Sequence, residues 1–296
     1  MTLSTVTREL HPLPPFDFGQ SLAFLGMFPP TKADQTLTGQ QLTRAFMIGP
    51  QVVAAQITSL GTTDAPRLRC TLLSDSPLTE SVQQAAFERA ALYLSLDDDL
   101  RPFYAIAETD PCFTPILRRM YGLHQVRFPT PFENACWAIL TQRTPMPAAQ
   151  ILKQALIEHF GGSLVIDGHC YQAFPTAAAV ANADPAQLES LLHNQRKAGY
   201  ISAASRAFSQ FDESFMRTGD YDTVEQSLLA IKGIGPWSAS FVMLRGFGRM
   251  ERIPLGEGRL AEVFARVYGP AEHLESVAAH YGPNQGYWAH YLRASG

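Results

Sequence analysis

Leu229-Ala230-Ile231-Lys232-Gly233-Ile234-Gly235-Pro236-Trp237-Ser238-Ala239, with Pro254-Leu255-Gly256-Glu257-Gly258-Arg259-Leu260 following downstream, is the stretch on which the reading of this chain turns. Gly233 and Gly235 bracket an apolar residue, a pattern suited to a tight turn in which backbone takes positive φ and approaches another molecule closely. Pro236 falls where proline favours the first helical position, and Ser238 to Arg245 continues with apolar residues at helical spacing. A helix is therefore expected to begin there, its free N–H groups and dipole forming an anion site. No Lys-Ser/Thr pair follows the glycines as in a triphosphate loop, so the anion expected is a phosphodiester. The alternative is a plain helix-loop-helix turn. Either way, a lone loop carboxylate, Glu257, follows the turn.

Working outward, Leu228, Leu229 and Ile231 close one helix and Trp237, Phe241 and Leu244 open the next. The segment resembles the helix-hairpin-helix of base-excision DNA glycosylases. In that superfamily a Pro-x-Gly-Asp-like loop carries the catalytic carboxylate, and here Pro254-Leu255-Gly256-Glu257 occupies the corresponding place, with glutamate for aspartate. A second block, Phe128-Pro129-Thr130-Pro131-Phe132-Glu133-Asn134-Ala135-Cys136-Trp137-Ala138-Ile139-Leu140-Thr141-Gln142, looks like the helix that enters DNA beside the damaged base. The resemblance puts the wedge after Gln142, at Arg143, a side chain able to fill the gap left by an extruded nucleotide and to stack on its neighbours. A third block, Asn194-Gln195-Arg196-Lys197-Ala198-Gly199-Tyr200-Ile201, resembles the family's basic segment before a helix. The three span most of residues 110–270, and their order is that of the alkylation-repair, 3-methyladenine type.

The resemblance implies two helical subdomains with double-stranded DNA crossing the cleft between them. It implies that Gln142, Arg143, Lys232, Gly233, Ile234 and Gly235 form the wedge and phosphate contacts, that Glu257 is catalytic, and that Trp237 and Phe241 line the base pocket. Relatives with lyase activity place a Schiff-base lysine where this chain has Trp237, so monofunctional hydrolysis is expected. Relatives with an iron–sulfur cluster carry its cysteines after the catalytic loop, and none follows Cys170 here, so that cofactor is excluded. A monovalent cation on hairpin carbonyls is the one ion the resemblance allows. Tyr287-Trp288-Ala289-His290-Tyr291-Leu292-Arg293 looks like the family's closing helix, with Arg293 where relatives often have an aromatic. A guanidinium facing a cationic base is repulsive, which counts against cationic alkylpurines. His290 reads as a surface or packing residue.

Composition bounds the rest. The 296 residues, 46% apolar and 17% charged, suit a globular chain of about two domains. Apolar runs are far shorter than the ~20 residues of a bilayer span, and the start lacks a signal-peptide pattern. A cytoplasmic monomer, nucleoid-associated if prokaryotic, is expected. Cys70, Cys112, Cys136 and Cys170 have no paired spacing and are expected as reduced, part-buried thiols, with no metal site. Net charge of −4 argues against coating DNA by bulk electrostatics. Locally, from Ser227 to Arg266, six basic residues (Lys232, Arg245, Arg249, Arg252, Arg259, Arg266) face three acidic ones (Glu251, Glu257, Glu262), a surplus of three positive charges. Arg245 and Arg249 are expected on one helical face with the hairpin.

The fold class expected is α+β: a mostly α-helical helix-hairpin-helix glycosylase domain over residues 111–296, preceded by an antiparallel sheet domain over 1–110. Gln51 to Leu60 and Arg67 to Leu73 read as antiparallel strands between turns at Gly49-Pro50 and Gly61 to Asp64, with a helix from Glu80 to Ala90 packed on them. From Cys112 onward the pattern is helix after helix, and the N-terminal part carries no catalytic signal.

Glu257 decides the function. Cleaving an N-glycosidic bond develops oxocarbenium character on the sugar, which needs an anion below the ring or a base that aims water at the anomeric carbon. Glutamate supplies the charge, but its extra methylene moves the carboxylate by roughly 1 Å, and a misplacement of about 1 Å can cost ~10²-fold in rate. Three readings stay open: a monofunctional DNA glycosylase that flips a damaged, alkylated base towards Glu257; a damage-binding protein that has lost catalysis; and a scaffolding helix-hairpin-helix module. Trp237 and Phe241 are equally readable as core.

Overall fold

The computed structural model describes residues 3–31, 34–254 and 256–296. Strands β1 (Ser4–Leu10), β2 (Gln35–Thr38), β3 (Gln41–Ile48), β4 (Gln51–Ser59) and β5 (Leu68–Ser74) form one antiparallel sheet in the order β1-β5-β4-β3-β2. The alternation read in the sequence is visible in β5, where Leu68, Cys70 and Leu72 are buried while Arg69 is exposed. Gly49 takes φ +60° between β3 and β4, the conformation its turn requires. The Glu80–Tyr93 helix, N-capped by Thr79, buries Ala86, Phe87, Ala90 and Tyr93 on this side of the molecule.

Two features depart from the sequence reading. A helix at Phe18–Met27, capped by Asp17, precedes β2 and delivers Phe24 to the edges of three hydrophobic clusters. And the helical part is interrupted by a hairpin of β6 (Gly162–Ile166) and β7 (His169–Ala173), whose turn residues Asp167 and Gly168 both have positive φ. Its Leu164, Ile166, Tyr171 and Ala173 pack on Ala45 and Ala54 of β3 and β4, covering a face of the sheet that would otherwise meet water.

The largest core joins residues from Phe128 to Phe247 with Phe28. A second core joins Leu100, Phe103, Tyr104 and Phe113 to Trp288, Tyr291 and Leu292 near the C-terminus. Between sheet and helices lies a buried charge cluster. Arg44 of β3 pairs with Glu133 (3.2 Å) and Asp34 (3.4 Å), and Lys153 pairs with Glu133 (2.7 Å) and with Asp34.

Candidate active site

The Pro131–Leu140 helix starts where Thr130 Oγ1 accepts a hydrogen bond from Glu133 N (3.0 Å), with Pro131 at its first position. All ten residues are buried, so the helix is a fixed strut. Thr141 Oγ1 donates back to Trp137 O (2.9 Å), and the chain then turns at Arg143, which is exposed and held at φ +51°. A non-glycine residue in the left-handed region costs of order 1 kcal/mol and is retained where surroundings or function require it.

Gln142 Nε2 donates to Gly233 O (2.8 Å), joining the end of this helix to the hairpin loop. Tyr221–Leu229 and Pro236–Val242 are the two helices of the hairpin. Ile234 is buried, and Lys232 and Gly235 are exposed beside it. The positive φ expected of this turn falls at Gly233, at +99°, where a Cβ would lie 2.3 Å from Tyr200 Cγ. Gly235 is extended (φ −97°, ψ −179°), and its missing Cβ faces open space, leaving the helix N-terminus uncovered. Tyr200 belongs to the third sequence block, whose helix, Gln195–Phe208, is capped by Asn194. In the loop, Ile231 O accepts from Ile234 N (3.0 Å) and Gly233 O from Gln142 Nε2 (2.8 Å), each carbonyl keeping a second lone pair. Among the described residues no cluster of His, Cys, Asp or Glu is arranged to hold a metal.

Beyond Val242 the helix continues as a π-turn, Met243–Phe247. Such bulges commonly sit at functional sites because they re-aim side chains. Here the turn leaves Arg245 O to accept from Phe128 N (2.8 Å) and carries the Arg245 side chain inward. Arg245 and Arg249, expected on one helical face with the hairpin, are both buried. Arg245 Nη1 donates to Val126 O (2.8 Å), and its guanidinium lies over the rings of Phe24 (4.7 Å) and Phe28 (5.1 Å). Burial, with Arg293 nearby, draws its pKa down to about 9. Arg249 pairs with Glu251, and Arg252 with Asp222 and Glu225. Helical spacing placed these arginines on one face but could not show that the face turns into the core.

Next to Arg245 opens a cavity of about 520 Å³, within the range of pockets that take a single small organic group. Trp237 and Phe241 stack at 5.2 Å with rings 17° apart, and both line it; Trp237 remains 44% exposed. Phe28, Pro29 and Pro30 complete the apolar wall, although the N-terminal part showed no functional signal in the sequence. Glu257 is the sole carboxylate among the described lining residues. Gly256, at φ +61°, turns the chain into the Gly258–Tyr268 helix, whose N-cap position Glu257 occupies without a side-chain capping bond. Leu255, quoted in the sequence motif, lies outside the described residues. Free of capping, the Glu257 carboxylate accepts a hydrogen bond from Arg293 Nε at 2.6 Å. The carboxylate and the guanidinium of the closing helix, Gln285–Ala294, thus form one polar unit at the cavity wall. His290, read as surface or packing, is buried and lines the same cavity.

Comparison with known proteins bears on this arrangement. Residues 136–280 match the HhH-GPD superfamily base excision DNA repair protein model. The chain is 33% identical over 155 residues to the DNA-3-methyladenine glycosylase of Bacillus subtilis, covering 52% of this chain and 51% of that protein. It is 26% identical over 237 residues to a probable bifunctional transcriptional activator/DNA repair enzyme AlkA of Mycobacterium tuberculosis, covering 78% of this chain and 46% of that one. The chain thus spans about half the length of these curated relatives. Among solved structures, the 3-methyladenine DNA glycosylase from Archaeoglobus fulgidus superposes with a TM-score of 0.74 at 19% identity, covering 97% of both chains. The 8-oxoguanine glycosylase/lyase of Clostridium acetobutylicum, in complex with double-stranded DNA, follows at 0.68 and 14%, covering 98% and 97%. At these identities the likeness establishes the fold, sheet included.

Proposed function

We propose, from the match of residues 136–280 to the HhH-GPD superfamily base excision DNA repair protein model, that this chain is a monofunctional DNA glycosylase acting on damaged bases in duplex DNA. The observation that carries the proposal is the pairing, in one cavity of about 520 Å³, of the Trp237–Phe241 stack with a single carboxylate, Glu257. Gly235 and the amides after it take a backbone phosphate, Lys232 adds charge beside them, and Arg143 enters the duplex as the base leaves it. The extruded base stacks on the aromatic wall. As the N-glycosidic bond breaks, the bonding pair departs with the base and positive charge grows on C1′. Glu257 stabilises that charge and accepts a proton from the water that adds at C1′, and a base that departs as an anion takes up a proton from solvent, so that one water is divided between sugar and base and Glu257 is released to its ionised form. Arg293, donating to Oε1, fixes the carboxylate and leaves Oε2 for the sugar or water.

The test is single-turnover incubation with duplexes each bearing one lesion (7-methylguanine, 1,N6-ethenoadenine or hypoxanthine), followed by alkali. We expect strand cleavage only after alkali, lost by at least ~10²-fold in Glu257→Gln and retained in Glu257→Asp. Equal activity in all three proteins removes Glu257 from the mechanism. The Glu257–Arg293 pair also favours a second reading, in which the carboxylate is committed to the guanidinium and the protein binds lesions without turnover. Lesion-selective binding with no excision would establish that reading.

A further inference from the structure

Arg196 and Lys197 lie in the first turn of the Gln195–Phe208 helix, where the helix dipole disfavours positive charge. The two cations part company. Arg196 is exposed, its Nε donating to Tyr200 Oη (2.7 Å), whereas Lys197 is buried and reaches across to the Pro131–Leu140 helix. Lys197 Nζ donates to Leu140 O, at the carbonyl end of that helix, and to Thr144 Oγ1. Because Thr144 Oγ1 accepts from the ammonium, its own proton goes to Gln142 O (3.0 Å). Residues on both sides of Arg143 are thereby tied to one buried cation. Among the described residues no carboxylate offsets its charge, and burial draws its pKa below the usual 10.5.

We propose that Lys197 is the positioning residue of the wedge: it holds Arg143 in its left-handed backbone conformation and so sets where that side chain enters the duplex relative to the phosphate-binding hairpin. The inference rests on the wedge role given to Arg143 above and names the group that holds it. A cation at the carbonyl end of a helix satisfies acceptors that have no intrahelical partner and is stabilised by that helix's dipole, which offsets its unfavourable place in its own helix. Left-handed backbone at a non-glycine residue persists where the surroundings over-determine it, and the Lys197–Thr144–Gln142 chain does so at Arg143. Tyr200, one turn beyond Lys197 and on the same face of the helix, lies against Gly233. One helix therefore fixes both the turn that carries Arg143 and the hairpin loop, and Gln142 Nε2 joins the two through Gly233 O (2.8 Å).

The test is equilibrium binding to a duplex with a tetrahydrofuran abasic site and to the intact duplex of the same sequence, which needs neither excision nor a matching base. The wild type should prefer the abasic duplex by ~10-fold or more, as a side chain stacked in the vacated space requires, and Arg143→Ala and Lys197→Met should each abolish most of that ratio. If Lys197 acts through Arg143, adding Lys197→Met to Arg143→Ala should change the ratio by less than ~2-fold, whereas general damage to the fold would add to it. Should Lys197→Met fail to fold, Thr144→Val, which removes the linking hydroxyl at near-constant volume, should lower the ratio and Thr144→Ser should keep it. Wild-type preference retained in Lys197→Met or Thr144→Val, with loss in Arg143→Ala, overturns the role of Lys197 and leaves the wedge standing. No preference in the wild type overturns both. The expected pattern without excision of any lesion supports the positioning role and defeats catalysis alone.

Discussion

At the scale of single residues, the two hairpin glycines make opposite predictions although the sequence presents them as a pair. At Gly233 any side chain meets both a positive φ and the Tyr200 ring, so Gly233→Val combines backbone strain of about 1–3 kcal/mol with overpacking of similar size. We expect a marked loss of stability in urea unfolding. Gly235→Val adds its side chain in open space on extended backbone and should leave stability nearly unchanged. It should instead weaken binding to damaged and undamaged duplexes alike, as loss of a phosphate contact does; a lesion-selective loss would contradict the phosphate role. His290 supplies a pH dependence. Its folded pKa lies well below the usual 6.5, because of burial first and then Arg245 and Arg293. Above pH 6.5 the group contributes nothing; below it the unfolded chain takes up a proton that the folded chain refuses, so stability falls with falling pH. For one such group the slope is about 1.4 kcal/mol per pH unit, and His290→Phe should remove that much from the dependence of unfolding free energy between pH 6.5 and 5.

At the scale of elements, what was legible followed local pattern. The hairpin helices, β4, β5 and the Glu80 helix announce themselves by period and by caps that act within a few residues, and the structure builds them there. The β6–β7 hairpin was equally announced, by Asp167-Gly168 between alternating runs, a strong short-range turn signal; an expectation of unbroken helices obscured it. The buried charge cluster shows the other limit. Glu133 reads locally as a first-turn acid of the Pro131–Leu140 helix, and nothing nearby in sequence reveals Arg44 and Lys153 as its partners. Removing one member strands the others in the core, which costs about 3–5 kcal/mol. We expect Glu133→Gln to destabilise by roughly that amount in urea unfolding, far more than a surface charge change such as Arg101→Gln at the exposed Asp99 pair. Similar losses in the two variants would mean that the cluster is dispensable for joining sheet to helices.

At the scale of the whole molecule, the site draws on residues far apart in the chain. Phe28 walls the cavity and with Phe24 lies over the Arg245 guanidinium, while Glu257 and Arg293 close the opposite end of the sequence onto it. The sequence blocks that carried the family resemblance all begin at Phe128 or later, which is why the N-terminal part looked functionally silent: its contribution is apolar cover for a cation made elsewhere, and such cover has no motif. The same long-range closure governs folding. Leu100, Phe103, Tyr104 and Ala107 are core residues packed with Trp288, Tyr291 and Leu292, so cutting the chain after residue 110 removes one wall of the second core as well as the sheet. It also removes both Arg44 and Asp34 from Lys153 and Glu133. Exposed apolar surface on that scale, with each large core side chain worth about 2–3 kcal/mol on burial, exceeds the roughly 5–15 kcal/mol by which a domain is stable. A fragment of residues 111–296 should therefore lack a cooperative thermal transition and near-ultraviolet circular dichroism, and a fragment that melts cooperatively with lesion-selective DNA binding would show that the helical part holds its pocket without the sheet.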